Sequence, residues 1–593
     1  MPNRAKRFLI ASAALALALP ALAQDRPEPV AAQNSVAPSP QPSPGASPAA
    51  TTPPRTARDP GGGEGGFELV DISELSLEPP PPPVELPDHA RRDPMVAGTL
   101  DPAELGLGAN PWGDASGAFL STLMRRMETP IASRWAHMAL RNAVLAAARA
   151  PRHVNPVDWT AERAWLLLRL GEADAARMLV AGVDVDEFTP KMFQVAVQSA
   201  LANADPPGLC PLEDGIRDVE RRVMPLVEAM CAALAGEPES AAAQIESARR
   251  RGLASGIDLV LAQKVVGAGA DTGSAATVEW EPVRQLNSWR FGLATATGMT
   301  LPENLVRQAP LRLRAWQARA PLLSPEARLA SARLATGLGV FSSQSLIDLY
   351  SQIYDRTDPD DLSESDAWQL RMAFVGKDRA ARLAAMRRLW DKAGDDRLER
   401  EASRALLGRA AARIAPDPEL QSDAPQLIAS MLAAGYDREA ARWAGAVRRM
   451  DDEFADRCWA MLALAAPNPA ALDIGYGRVN SFISRDKSPG RKRGALLVAA
   501  LAGSGRLDAR SAARLNNRHG LRLERASRWT RMIDGAAARG QGGSALVMAG
   551  TGLQGASFED LPPAHLFHAV AALRRTRQDF IARMIAAEAL ART

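Results

Sequence analysis

Cysteine, histidine and tyrosine are scarce, with three, six and four copies in 593 residues. The cysteines, Cys210, Cys231 and Cys458, show no metal-type spacing, which excludes a zinc-ribbon or zinc-finger module read from sequence. Only His565 and His568 lie close together. No Glu accompanies them as in a zinc-protease helix, so they are read as core or surface residues rather than ligands. No internal apolar run reaches the roughly 20 residues of a membrane-spanning helix, because Arg, Asp or Glu interrupts every Ala/Leu stretch. An excess of charge is also missing: 71 basic and 68 acidic residues become 68 of each once the first 23 residues are removed. A neutral chain without a basic tail gives no electrostatic case for nucleic acid.

The N-terminus has the three-part layout of a secretory signal. Arg4, Lys6 and Arg7 precede an apolar run from Phe8 to Leu19, then Pro20 and the small triplet Ala21-Leu22-Ala23. The run is too short to span a bilayer, so cleavage after Ala23 and export, most simply to a Gram-negative periplasm, are expected. With no cysteine near the cut, lipid attachment there is not. Residues 24–66 are a Pro/Gly-rich linker, as in Ala37-Pro-Ser-Pro-Gln-Pro-Ser-Pro44 and Gly61-Gly-Gly-Glu-Gly-Gly66. They hold too little apolar surface to offset the cost of ordering the backbone, and are expected to form a disordered tether. Residues 67–110 form an acidic-apolar segment in which Phe67, Leu69, Ile72, Leu75 and Leu77 stand among acids. That pattern suits either a strap packed on the chain's own body or a docking motif for a partner.

From about Pro111 onward Ala, Leu and Arg dominate and β-type alternation is scarce, so the expected class is all-α. Helical stretches alternate with short Gly, Asp or Pro breaks, giving antiparallel helix pairs in two sub-arrays, 111–266 and 283–593, divided by the small-residue stretch from Gly267 to Trp280. In four places a turn glycine has an alanine five residues on: Gly171 and Ala176, Gly236 and Ala241, Gly376 and Ala381, Gly435 and Ala440. Glycine ends one helix without a Cβ penalty, and a small residue near the start of the next lets the two axes approach. In this the chain resembles the tetratricopeptide-like α-solenoid family. The resemblance implies a superhelical array with a binding surface, as in the helical platforms of soluble lytic transglycosylases.

No catalytic constellation stands out. Gly550-Thr-Gly-Leu-Gln-Gly555 matches a dinucleotide-binding glycine string but lacks the preceding strand, and is read as a loop between helices. No Glu-Ser segment precedes it, which argues against lytic transglycosylase activity. Ser484 and Lys487 have the spacing of a serine-lysine nucleophile pair without the companion motifs. The most polar stretch of the body carries Tyr476, Arg478, Asn480, Arg485, Lys487 and Arg491, and is read as a solvated loop or an anionic-partner surface. Cys210 and Cys231, 21 residues apart, are a candidate disulfide in an oxidising compartment.

The sequence therefore points to a non-enzymatic, exported interaction scaffold of the cell envelope that needs no cofactor and binds an unidentified protein or cell-wall partner. Two other readings are a cell-wall glycan enzyme assembled from distant carboxylates, which would require a cleft holding an acid of raised pKa, and a structural assembly component.

Overall fold

Helix starts in this chain are written locally. Asn155, Thr189, Ser324 and Asp358 each precede a proline, and each side chain accepts a backbone N–H of the first turn that follows. Proline at the first helical position gives up an N–H that would have no partner, and the capping oxygen satisfies another. The computed structural model describes residues 87–219, 223–271 and 277–593. The signal layout, the tether, and Phe67, Leu69, Ile72 and Leu75 lie outside the described residues. Among the described residues the fold is all-α: no strand is present, and only two isolated bridges occur, Leu100 with Ala146 and Ile131 with Gln554. No described helix is long and apolar enough to cross a membrane.

Consecutive helices pack on each other, as Pro156–Leu170 does on Ala173–Val180, Met224–Leu234 on Pro238–Arg250, and Arg397–Ala411 on Ala424–Ala433. Three of the four glycine–alanine pairs behave as their spacing predicts. Gly171, Gly236 and Gly435 take left-handed φ values of 90°, 85° and 87°, and Ala176, Ala241 and Ala440 are fully buried. The fourth departs: Gly376 has an ordinary φ of −50° and Ala381 is only half-buried. There the next helix is started by Asp378, whose carboxylate accepts from Ala381 N at 2.8 Å.

Contacts continue across the stretch after 266. The Gly256–Gly269 helix runs past that position, and Ser288–Ala296 packs on it and on Pro190–Ala202. The beginning of the body also meets its end. Helix Arg134–Leu145 packs on Gly542–Gly552 and Asp579–Ala591, and residues 105–113 lie along the same C-terminal elements. Gln578 donates to the Leu105 carbonyl at 2.7 Å and Ser544 Oγ to that of Trp112 at 2.9 Å.

The glycine string Gly550–Gly555 requires a correction. Gly550 and Gly552 are helical, within Gly542–Gly552, rather than in a loop. A Cβ on Gly550 would stand 2.9 Å from Leu140, and one on Gly552 would stand 2.1 Å from the Trp529 ring. These glycines serve close helix approach, which composition alone does not separate from a loop.

One buried junction ties these parts together. The Glu588 carboxylate accepts from Ser133 Oγ at 2.5 Å, from the backbone N–H of Arg134 at 2.8 Å and of Trp135 at 3.3 Å, and pairs with Arg592 at 2.7 Å. It thereby caps a helix more than 450 residues away in sequence. The buried Arg134 side chain donates in turn to the carbonyls of Thr336, at 2.9 Å, and Ala433, at 2.7 Å, in the last turns of Pro325–Leu338 and Ala424–Ala433. Two side chains thus complete the ends of three helices and tie them to the helix that carries Glu588. Removing the acid in Glu588→Ala leaves Arg592 and two amides buried without their partner. Urea unfolding should show a loss of about 3–5 kcal/mol; a loss under about 1 kcal/mol would mean the junction is not structural.

Candidate functional site

Arg397, Arg400 and Arg404 recur at helical spacing along one face of Arg397–Ala411. That face borders a cleft of about 440 Å³. Arg457 enters it from Asp452–Ala465, Arg493 from the first turn of Lys492–Gly503, and Arg592 from just beyond Asp579–Ala591. Six guanidiniums therefore meet a single acidic side chain in the lining, Glu559. Close helix approach sets this geometry. A Cβ on Gly337 would meet the Leu398 carbonyl at 2.4 Å, and one on Gly408 the Ser430 carbonyl at 2.5 Å, so these glycines let Arg397–Ala411 sit between its two neighbours.

Four of the six guanidiniums are engaged. Arg397 pairs with Glu559 at 2.5 Å and Arg592 with Glu588 at 2.7 Å. Arg404 reaches Gln426 at 3.2 Å and Glu401 at 3.5 Å, and Arg493 donates to a backbone oxygen of Thr593 at 2.6 Å. The guanidiniums of Arg400 and Arg457 have no hydrogen-bond or ion-pair partner among the described residues. Burial, only partly offset by Glu401 and aided by the charges of Arg592 and Arg400, pushes Arg404 below the ordinary arginine range. Burial, then the charge of Arg457, does the same to Arg493. Arginine does not deprotonate at working pH, so these like charges persist side by side in the cleft. An apolar wall that includes Phe454, Met461 and Leu590 completes the cleft.

The polar stretch singled out from sequence is placed otherwise. Tyr476–Arg485 is a helix and not a loop, because Val479, Phe482 and Ile483 form a buried stripe at helical spacing. Two of its arginines bind it to the preceding helix: Arg478 reaches Asp456 at 2.7 Å and lies 3.9 Å over the Trp459 ring, and Arg485 makes a two-pronged contact with Asp456 at 2.8 Å. Burial pushes the Asp456 carboxyl up, but the hydrogen bonds and charges of Arg485 and Arg478 outweigh it and hold the group below its usual range. Tyr476 accepts from Arg518 at 3.3 Å and lies beneath Arg514, and Asn480 is 3.4 Å from His519. Lys487 and Arg491 are exposed.

Cys210 and Cys231 are joined by a disulfide with Cα atoms 5.6 Å apart. A closed loop of this length contributes on the order of 3 kcal/mol. Glu213 lies beside the two sulfurs, the one His/Cys/Asp/Glu grouping among the described residues tight enough for an ion, but both sulfurs are taken by their mutual bond. Cys458 is buried, which pushes its thiol up to about 12 and leaves it inert. His565 and His568 turn to separate partners, the Gly552 carbonyl and Asp534.

A glycan-cleaving site would need an acid of raised pKa in a cleft. Burial raises Glu588, yet its oxygens are occupied by the junction, and the adjoining space of about 10 Å³ has room for one water at most. No protein-family model matches the chain, and no curated protein or solved structure matches it either.

The candidate residues of the polar stretch read from sequence stop at Arg491, and none of the six arginines of the cleft is among them. The signal present was the run Arg397-x-x-Arg400-x-x-x-Arg404. Like charges at these spacings destabilise an isolated helix, and Glu399 and Glu401 within the run mask the pattern.

The Asp456 cluster yields a pH test. A depressed folded pKa gives stability that is present above the usual carboxyl value and lost as pH falls through the folded one. Asp456→Asn should cost about 1–3 kcal/mol at pH 7. The difference from wild type should shrink below about pH 4. A cost that stays constant between pH 7 and pH 3 in parallel urea melts would contradict the charge-based account.

Proposed function

We propose that the protein is an exported, non-enzymatic interaction scaffold of the bacterial cell envelope, working in the periplasm, and that its tetratricopeptide-like helical array binds an anionic group of a protein or cell-wall partner. The observation that carries this reading is the cleft in which six arginines face one acidic side chain and two of the six have no hydrogen-bond or ion-pair partner among the described residues. Structural arginines elsewhere in the chain end on carbonyls or carboxylates. Arg163 donates to the carbonyls of Val144, Ala146 and Ala97, and Arg506 to those of Ala463 and Ala466. Arg400 and Arg457 have no such task, and guanidinium forks are suited to recognising oxyanions.

The N-terminal layout supports export, and the following Pro/Gly-rich stretch supports a tether that sets the body at a distance from its point of attachment. The Cys210–Cys231 disulfide is in keeping with an oxidising compartment.

The test combines location with recognition. Tagged protein recovered from the periplasmic fraction should begin at Gln24, and in-cell crosslinking should capture a partner whose yield falls in Arg400→Gln/Arg457→Gln. Retention of residues 1–23 in a cytoplasmic protein would overturn export. A partner yield indifferent to both substitutions would remove the cleft from the proposal.

A further inference from the structure

Resting on the reading of the cleft as an anion site, we propose that its ligand is an organic diphosphate, with two linked phosphates among the arginines and the organic part against the wall of Phe454, Met461 and Leu590. Three observations converge on that class. The first is charge: with Arg397 paired to Glu559, Arg592 to Glu588 and Arg404 to Glu401, Arg400 and Arg457 are left without an acid among the described residues, an excess that a singly charged group offsets only in part and a diphosphate offsets well.

The second is direction. The arginines reach the cleft from four separate helical elements: three along Arg397–Ala411, and one each from Asp452–Ala465, the start of Lys492–Gly503 and the residue after Asp579–Ala591. A carboxylate is planar and accepts best within its plane, whereas tetrahedral phosphates offer oxygens on all sides. Donors converging from several directions therefore match linked phosphates better than a carboxylate.

The third is size and lining. A cleft of about 440 Å³ exceeds what a lone phosphate fills and falls in the range of small-molecule sites. Phe454 is half-buried in the lining, which also includes the buried Met461 and Leu590. That surface has nothing to offer a phosphate, but it suits a base, a sugar face or an isoprenoid carbon chain.

Calorimetry on the mature full-length chain, at low salt in buffer free of phosphate and sulfate, separates the possibilities. The probes are inorganic pyrophosphate, orthophosphate, citrate, uridine 5′-diphosphate and farnesyl diphosphate. Pyrophosphate should bind at least about 10-fold more tightly than orthophosphate or citrate. One organic diphosphate should bind more tightly still, a gain with the uridine compound pointing to a nucleotide source and a gain with the farnesyl compound to a lipid source. Arg400→Gln/Arg457→Gln should weaken pyrophosphate by about 30-fold or more, while raising the ligand-free Tm because like-charge repulsion is relieved. If the double variant does not fold, Arg457→Gln alone, at an exposed position, carries the same test with a smaller loss. Citrate or orthophosphate binding as tightly as pyrophosphate would overturn the diphosphate class and leave the anion site standing. Organic diphosphates both weaker than pyrophosphate would overturn the role of the apolar wall. Binding unchanged in the variants would place the ligand elsewhere, and no binding of any anion would remove the anion reading itself.

Discussion

The rest of the structure depends on the way buried charged side chains complete helix ends that belong to distant parts of the chain. Every helix leaves unpaired N–H groups at one end and unpaired carbonyls at the other, and burying such an end without a partner costs on the order of a hydrogen bond per group. This body, made largely of Ala, Leu and Arg, has few aromatic or β-branched side chains to fill gaps, so helices pack closely and their ends fall inside. Glu588 answers the N-terminal amides of Arg134–Leu145, and Arg134 answers the C-terminal carbonyls of two further helices. The same device recurs in Arg163, Arg169 and Arg506, each donating to carbonyls at the ends of neighbouring helices. Burial lowers the Arg163 guanidinium to about 9 and, together with the charge of Arg583, lowers Arg506 to about 10. Both remain cations at neutral pH.

The cleft grows from this junction. Arg592 stands one turn beyond Glu588 and pairs with it, and Glu401 and Arg404 occupy successive turns of the helix that lies against them. The cleft lining adds Arg397, Arg400, Arg457 and Arg493 to these, with Glu559 as its one acidic side chain. The paired arginines are thus part of the fold, and Arg400 and Arg457 have no partner in it among the described residues.

How far the fold was legible follows from which interactions are local. Caps such as Asn155-Pro156 and the helical spacing of Ala and Leu announced an all-α chain, and the glycine–alanine spacing located three genuine turns. It failed at Gly376 because Asp378 supplies the start signal there and the glycine is not left-handed. The stretch from Tyr476 was misread as a loop because its charges outweighed a three-residue apolar stripe, and Gly550 and Gly552 because glycine in close helix packing looks like glycine in a turn. Pairing of Cys210 with Cys231 was accessible since both lie within one short span. The cleft was not. Its arginines lie between positions 397 and 592, and only the spacing within one helix was visible from the residues.

The central claim is that the junction at Glu588 makes the helix Arg134–Leu145 and the last helix, Asp579–Ala591, one cooperative unit. Native-state hydrogen exchange tests it most directly, by following the amides of 134–145 and 579–591 in wild type and in Glu588→Gln. The account predicts equal protection of both segments in wild type and a joint fall in the variant. Independent opening of the C-terminal helix, with 134–145 unaffected by the substitution, would contradict it.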